Sequence, residues 1–159
     1  MKRPSVGLSI LIIFLTASLA SAGEKGPVEP HAKDRCPVCG MFPARHPDSA
    51  GQILFKDGTY AVFDGVKDMF KYYFKLKKYN LTKKLSDIDS IYVKDYFSLT
   101  FTDGYSAWYV TGSNVYGPMG RELIPFGKES EAKVFMVDHV GKSLSKFDEV
   151  TYDLVKGLE

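Results

Sequence analysis

The sulfur-containing residues near the start of the chain form the motif with the clearest chemistry. Cys36 and Cys39 are the only two cysteines, and Met41 follows two residues after the second one in the run DRCPVCGM. Cysteines at this spacing can close a disulfide in an oxidising compartment, take part in thiol–disulfide exchange or bind a metal ion. A disulfide here closes a ring of about four residues, which constrains the unfolded chain little and leaves Met41 without a role.

The residues around the motif weigh against two familiar kinds of cysteine site. A thioredoxin-type thiol needs a helix N-terminus behind it, whereas Gly40, Pro43 and Pro47 follow the second cysteine closely. Covalent haem requires a histidine at the position of Gly40, and structural zinc usually takes two ligand pairs, whereas no second pair exists at that spacing. The redox, zinc and structural-disulfide interpretations stay open at this point.

A soft monovalent ion fits the donors of this segment. Cu(I) prefers thiolate and thioether ligands, and Gly40 allows a bend that lets the sulfurs of Cys39 and Met41 point to one ion. The further candidates that could complete the ligand set are Cys36, Met119 and His139. The motif therefore predicts a Cu(I) site built on Cys39 and Met41.

The amino-terminal segment has the pattern of an export signal. Two positive charges precede the apolar run 6–15, and the small residues at 20–22 are typical of a cleavage site, so residues 1–22 are predicted to be a signal peptide. The apolar run is too short to favour a spanning helix, and an uncleaved anchor that holds the protein at the membrane is the alternative. The protein is therefore predicted to be periplasmic or otherwise exported.

Composition and charge exclude several classes of function. The chain has 159 residues, 45% of them apolar and 25% charged, which is typical of one globular domain or of two very small ones that share a sheet. Without residues 1–22 it carries 19 basic and 19 acidic residues, so charge gives no reason to expect a nucleic-acid partner. Because no acid–base pair, catalytic triad or phosphate-binding loop stands out, neither an enzyme nor a small-molecule substrate is predicted.

Turn signals and periodicity predict a mixed α+β fold. Residues 23–35 are predicted to be a flexible lead-in, and the Asp-Gly pairs at 57–58 and 103–104 predict two hairpins. Asp64 is expected to cap a helix over about 66–77, and the Lys-rich stretch 71–84 is expected to be a solvated face. Further elements are predicted as strands over 91–93, 96–102, 105–111 and 133–139 and as a helix over 149–156 capped by Asp148.

Two stretches resemble each other at an offset of 84 residues. ILF followed by VFDGV at 53–66 compares with VDH followed by KFDEV at 137–150, and each is predicted as strand, turn, strand and helix start. This pattern predicts a duplicated ββαβ-type unit. The first unit, with the cysteine loop, is predicted over residues 36–95 and the second over residues 96–159.

The motifs together resemble the NosL family of nitrous oxide reductase accessory proteins. The likeness is carried by DRCPVCGM, GQILFKDG, AWYVTGS, GPMGRELIPF and AKVFMVDHVG, and it covers most of the chain after residue 36. The resemblance implies a protein that binds Cu(I) outside the cytoplasm and hands it to a copper-receiving protein. The recipient that the resemblance implies belongs to the machinery that assembles the copper centre of nitrous oxide reductase, which includes an ABC-type membrane complex.

The resemblance also implies a fold and a ligand pair. The fold is two related ββαβ-type units, likened to organomercurial lyase, and the family's Cys-x-Met pair falls on Cys39 and Met41, with Met119 and His139 in matching later motifs. Many family members are lipoproteins with a cysteine at the cleavage site, whereas this chain has alanine and glycine at 22–23. Cys36 is additional to the Cys-x-Met pair and could act as a ligand or form a disulfide with Cys39.

Two other functions follow from the same cysteines. The first is a thiol–disulfide redox protein that uses Cys36 and Cys39 and needs a lowered thiol pKa. The second is a non-catalytic secreted interaction domain whose one disulfide is structural.

Overall fold

The strands of the protein form two antiparallel sheets and a short two-stranded ribbon. The computed structural model describes residues 26–159, so the predicted signal peptide over residues 1–22 lies outside the described residues. The strands, in chain order, are β1 (Gly51–Phe55), β2 (Tyr60–Phe63), β3 (Ile88–Lys94), β4 (Phe101–Asp103), β5 (Trp108–Thr111), β6 (Tyr116–Gly117), β7 (Gly120–Arg121), β8 (Ile124–Phe126) and β9 (Ser143–Lys146).

Over residues 26–159, four α-helices lie between and after these strands: α1 (Val66–Phe74), α2 (Leu76–Tyr79), α3 (Glu129–Asp138) and α4 (Tyr152–Lys156). Short 3-10 helices occupy Pro43–Arg45, Pro47–Ser49, Leu85–Asp87 and Phe147–Glu149. In the described part of the chain, no helix has the length and apolar character needed to span a bilayer. The predicted α+β class is confirmed.

The two sheets repeat one topology. The first has the order β2-β1-β3-β4 and the second the order β8-β5-β9. In the first sheet, β1 pairs with β2 on one side and on the other with β3, the strand after α1 and α2. In the second, β5 pairs with β8 on one side and on the other with β9, the strand after α3; the β6–β7 ribbon is inserted between β5 and β8. The related ββαβ units are therefore present, but the predicted offset of 84 residues is wrong, because 137–139 ends helix α3 and does not match β1. The division at residues 95 and 96 stays a prediction; β4, beyond that position, pairs with β3.

Helix α3 corrects the predicted strand over 133–139. The run AKVFMVD is rich in residues that favour strands, yet Ala132 and Phe135, three positions apart, are both fully buried, as on one face of a helix. Glu129 in the first turn forms an ion pair with Lys133 at 2.6 Å, four residues further on. Packing and helix electrostatics therefore override local strand preference.

The predicted hairpin at 103–104 is also absent. β4 pairs with β3 of the first sheet, whereas β5 pairs with β8 and β9 of the second, so the chain changes sheets at this turn. The Asp103 carboxylate accepts the N–H groups of Tyr105 and Ser106, and the Gly104 N–H donates to Ile91 O. The predicted strand over 96–102 is likewise shorter, because 96–98 form a turn around the Asp95 carboxylate.

Two helix starts differ from their predictions. Gly65, and not Asp64, is the N-cap of α1, and it makes no side-chain capping bond. Helix α4 is capped by Thr151, whose hydroxyl accepts the Leu154 N–H at 3.2 Å, and not by Asp148, which lies in a 3-10 turn.

In the predicted lead-in, Val28 exchanges hydrogen bonds with the amide of a buried glutamine of β1.

One hydrophobic cluster joins the two halves of the fold. It contains the buried face of α1, strands of the first sheet, and Tyr109 and Phe147 from the second unit. Phe70 is fully buried at its centre, with ring centroids 5.2 Å from Tyr109 and 5.0 Å from Phe147. A smaller cluster lies under α3 and includes Val110, Phe126 and Phe135. The position of α1 therefore depends on both sheets.

Candidate metal centre

The cysteine loop is held closed by backbone hydrogen bonds. The Cys36 N–H donates to Met41 O at 2.8 Å, and the Gly40 N–H donates back to Cys36 O at 2.9 Å. Gly40 has a φ of +81°, a conformation that residues with a side chain rarely adopt. Both cysteines are free thiols. The loop therefore presents Cys36 and Cys39 at one end without joining them in a disulfide.

Two aspartates complete a four-residue donor cluster with the thiols. One ligand atom each from Cys36, Cys39, Asp64 and Asp68 lies within 4.8 Å of the other three. The Cys39 Sγ donates to Asp64 Oδ1 at 3.0 Å, and the Cys36 Sγ donates to Asp68 Oδ2 at 3.5 Å. Cys39 is half-buried, whereas the other three are buried.

The start of helix α1 positions both aspartates. Asp64 directly follows β2, and Asp68 lies four residues later in the first turn, so both carboxylates reach the same side of the helix start. Asp64 was predicted to cap this helix. Instead it turns towards Cys39 and is fully buried.

One carboxylate oxygen in the cluster has neither a hydrogen-bond nor an ion-pair partner among the described residues. Asp64 Oδ2 is fully buried and unpaired, whereas Asp68 Oδ1, which also lacks a hydrogen bond, has the Lys71 ammonium at 3.4 Å. A buried carboxylate oxygen without a partner is costly, and such groups are rare in folded proteins. The arrangement is typical of a site that receives a cation.

Burial and the nearby carboxylates keep both thiols protonated. Burial raises the pKa of Cys36 to about 12. The pKa of Cys39 is raised further, first by burial and then by its hydrogen bond to the Asp64 carboxylate. Neither cysteine is therefore the low-pKa thiolate that a thiol–disulfide enzyme needs for attack at neutral pH.

Replacing Asp64 by asparagine is expected to lower the pKa of Cys39, because it removes the negative charge that favours the neutral thiol. Alkylation of Cys39 by iodoacetamide at pH 8 should become about tenfold faster for each unit that the pKa falls. Peptide mapping by mass spectrometry separates Cys39 from Cys36. The exposed Asp89 supplies a matched control, Asp89→Asn, which should leave the rate unchanged; equal rates for all three proteins would contradict the assignment.

Met119 approaches the same end of α1 from the second unit. It lies in the turn between β6 and β7, it is 45% exposed, and its carbonyl accepts a hydrogen bond from the Lys67 ammonium at 2.7 Å. Lys67 is in the first turn of α1, between the two aspartates in sequence. The structure thus brings the turn that contains Met119 to the helix start that bears Asp64 and Asp68.

The buried Glu122 fixes this turn against α1. Its carboxylate accepts the backbone N–H groups of Lys67 and Leu123, and burial raises its pKa to about 8. A Cβ atom at Gly65 or Gly117 would collide with the same carboxylate, so a side chain at either position would displace Glu122. Glu122 therefore supplies the capping interaction that α1 lacks locally.

His139 is not brought to the cysteines. It follows the last residue of α3, its ring stacks on Phe135 with centroids 4.4 Å apart, and its Nδ1 shares a hydrogen bond with Asn114 Oδ1 at 3.0 Å. The donor cluster found among the described residues contains no histidine. The structure therefore places His139 with the second hydrophobic cluster and not with the cysteine loop.

The two aspartates are the site residues that the sequence analysis missed. A signal was present, since Asp64 and Asp68 stand four apart at a predicted helix start. Nothing in the sequence indicated that this start lies against a loop nearly 30 residues earlier, because the distance between Cys39 and Asp64 is set by the packing of β1, β2 and α1.

Comparison with known proteins gives a consistent result. The NosL family model matches residues 27–155. The copper-binding lipoprotein NosL of Stutzerimonas stutzeri is 30% identical over 158 residues, covering 93% of this chain and 82% of that protein.

A solved structure supports the fold. The crystal structure of the copper chaperone NosL from Shewanella denitrificans superposes with a TM-score of 0.65 at 24% identity, covering 82% of this chain and 98% of that one. The solution structure of apo-NosL from Achromobacter cycloclastes matches with a TM-score of 0.47 at 24% identity, over 66% of this chain and 87% of that one. Because the family model spans most of the described residues and the S. stutzeri protein matches along nearly the whole chain, the protein belongs to the NosL family.

Proposed function

We propose that the protein is a Cu(I) chaperone that binds one ion at the cysteine loop and passes it to another protein. The observation that carries the proposal is the cluster of two free thiols and two buried aspartates, one of which has an unpaired oxygen. The names of the relatives, a copper-binding lipoprotein and a copper chaperone, support copper as the cargo. The proposed role is that of a carrier and not of an enzyme.

The ligands we propose are soft sulfur donors. Cys39 is the more exposed thiol, and Met41 follows it on the same closed loop, so these two form the primary pair. Cys36 and Met119 are proposed to complete the set, because Cys36 is in the cluster and the turn of Met119 docks on α1 beside it. His139 contacts Asn114 and Phe135 and is not part of the donor cluster of the described residues, so the ligand set proposed here leaves it out.

The aspartates have a different role in this proposal. Carboxylate oxygens are hard donors that Cu(I) does not prefer, but their charge attracts a cation to a buried position. Asp64 and Asp68 already accept hydrogen bonds from the thiols, so each is the nearest group through which a proton that a thiol releases on binding the ion can pass to solvent. Release of the ion to a recipient reverses this step as the thiols regain their protons.

The destination of the ion is proposed from the family. We propose delivery to the machinery that assembles the copper centre of nitrous oxide reductase, including an ABC-type membrane complex. An exported location is proposed with it, on the signal pattern at residues 1–22 and on the lipoprotein character of the S. stutzeri relative.

Cu(I) affinity is expected to rise with pH, because both thiols are protonated in the free protein and each one that binds copper must lose a proton. The apparent affinity should increase about tenfold per pH unit for each thiol that becomes a ligand. Competition of the reduced protein with a calibrated Cu(I) chelator dye between pH 6 and 8.5 measures the slope.

The pH dependence of the Cu(I) affinity also gives the number of thiolate ligands. A tenfold change per unit assigns one thiolate, and a hundredfold change assigns both Cys36 and Cys39. Zn²⁺ competition is the second arm, since two thiolates and two carboxylates could also hold zinc. A flat pH profile, or loss of copper to the dye while zinc is retained, would overturn the proposed cargo and ligands.

A further inference from the structure

A basic groove lies at the far end of α1 from the cysteine loop. It has a volume of about 470 Å³, and its apolar floor is formed by Tyr73, Phe74 and Leu76. The side chains that surround this floor, called here the lysine face, are Lys75, Lys77, Lys78, Lys83, Lys84 and Leu85. This stretch was expected to be only a solvated face.

The lysine face concentrates positive charge in a protein whose basic and acidic residues are equal in number once residues 1–22 are left out. Between positions 67 and 84 there are seven lysines, no arginine and a single acid, Asp68, which is buried. Lys83 forms an ion pair with Asp57. In the described part of the chain, the carboxylates lie more than 4.0 Å from the other ammonium groups of the face, those of Lys75, Lys77, Lys78 and Lys84.

Two exposed leucines accompany these lysines. Leu85, which is 49% exposed, lines the groove, and Leu81, which is 82% exposed, lies between Lys78 and Lys83 in sequence. The turn at Leu81 is ordered, since Asn80 Oδ1 accepts the Thr82 N–H at 3.1 Å and Lys77 donates to the Leu81 carbonyl. The fold therefore holds an apolar side chain out into solvent, in a turn next to Lys77 and Lys78, which form no ion pair with a carboxylate of the described residues.

We propose that the lysine face binds the surface of an anionic lipid bilayer. Lysines there would lie at the phosphate level, while Leu81 and Leu85 would insert into the boundary with the acyl chains. The composition favours this partner over an acidic protein, because protein interfaces are enriched in arginine and depleted in lysine, whereas a bilayer surface needs only point charges and apolar contacts. The inference is independent of the proposed copper function.

This binding mode sets the orientation of the molecule. Helix α1 has nine residues, so its ends are about 13 Å apart. The lysine face lies beyond the C-terminal end, and the aspartates of the donor cluster lie at the start. A protein bound to a bilayer by this face would keep its cysteine loop directed away from the lipid.

Vesicle co-sedimentation tests the proposal with the protein lacking residues 1–22; both hydrophobic clusters are built from residues 36–158. The protein should bind vesicles that contain phosphatidylglycerol, should not bind pure phosphatidylcholine, and should be released by 0.5 M salt, because surface charges are then screened. Lys77→Glu, Lys78→Glu and Lys84→Glu together should lower the partition coefficient at least about a hundredfold, at about fivefold per lysine removed. Leu81→Ser should lower it several-fold at unchanged net charge.

A control variant with the same change in net charge shows whether binding depends on the lysine face or only on the total charge of the protein. Lys128, Lys133 and Lys142 are exposed and lie outside the lysine face, so the triple change of these residues to glutamate should leave binding within a few-fold of wild type. The proposal is overturned if wild type does not bind anionic vesicles, or if both triple variants lose binding equally. Binding to soluble polyglutamate in the absence of vesicle binding would instead assign the face to an acidic protein partner.

Discussion

Replacing Cys39 by serine is expected to weaken Cu(I) binding at least about a hundredfold. Serine keeps the size of the side chain and can still donate to Asp64 Oδ1, but its hard oxygen replaces the soft sulfur that Cu(I) prefers. Changing only an outer partner of a metal ligand typically costs 10–100-fold in affinity, so loss of a primary ligand should cost at least as much. Chelator competition at fixed pH on reduced protein measures the effect.

The matched control is Met136→Leu, which removes a thioether from the second hydrophobic cluster and should leave Cu(I) affinity unchanged. Cys36→Ser gives the comparison within the site and should cost less than Cys39→Ser if Cys36 only completes the set. Thermal unfolding confirms that each variant is folded. If Cys39→Ser retains copper as well as wild type does, the site has been assigned to the wrong sulfur.

Replacing Phe70 by alanine is expected to lower the free energy of unfolding by about 3–5 kcal/mol. Phe70 is fully buried on α1 and contacts rings of the second unit, Tyr109 and Phe147, as well as Phe74 one turn later on its own helix. Truncation leaves a cavity where the two halves of the fold meet, and neighbours held by other contacts cannot fill it completely.

Urea unfolding followed by the fluorescence of the single tryptophan, Trp108 of β5, measures this loss. Val134→Ala on the outer face of α3 is the control, because Val134 is 55% exposed and such substitutions usually change stability by less than about 0.5 kcal/mol. A loss below about 1 kcal/mol for Phe70→Ala would show that the two halves do not depend on this ring. The reduced stability should also loosen the start of α1 that carries the aspartates.

Local signals predicted the first half of the fold well. The Asp-Gly pair at 57–58 correctly predicted the hairpin of β1 and β2, because this pair favours a tight turn between two strands that are adjacent in sequence. The helix over about 66–77 corresponds to α1 and α2, whose buried positions recur at helical spacing. In these segments, local preference and tertiary packing agree.

The second half shows where local signals fail. The same Asp-Gly pair at 103–104 does not form a hairpin, because Gly104 packs against Ile91 and the chain leaves for another sheet. The strand-favouring residues of α3 are helical because the second sheet buries Ala132 and Phe135 together. In both cases the deciding contact comes from a distant part of the chain.

The residues of the candidate site also fall into those that the sequence could indicate and those that it could not. Cys36, Cys39 and Met41 could be singled out because their spacing is local and their side chains have unusual chemistry. Asp64 and Asp68 could not, because aspartate is common at helix starts and only the packed structure shows these two facing sulfur. From one sequence alone, an aspartate that caps a helix cannot be told apart from one that is buried beside a thiol.

The two thiols of the loop differ in access, since Cys36 is 2% exposed and Cys39 is half-buried. If copper is carried here as proposed, a donor group from another molecule would meet Cys39 before Cys36. In a stepwise exchange of ligands, the outer thiolate would then be displaced before the inner one. The same exposed sulfur would be the first of the two cysteines to contact the ion during loading.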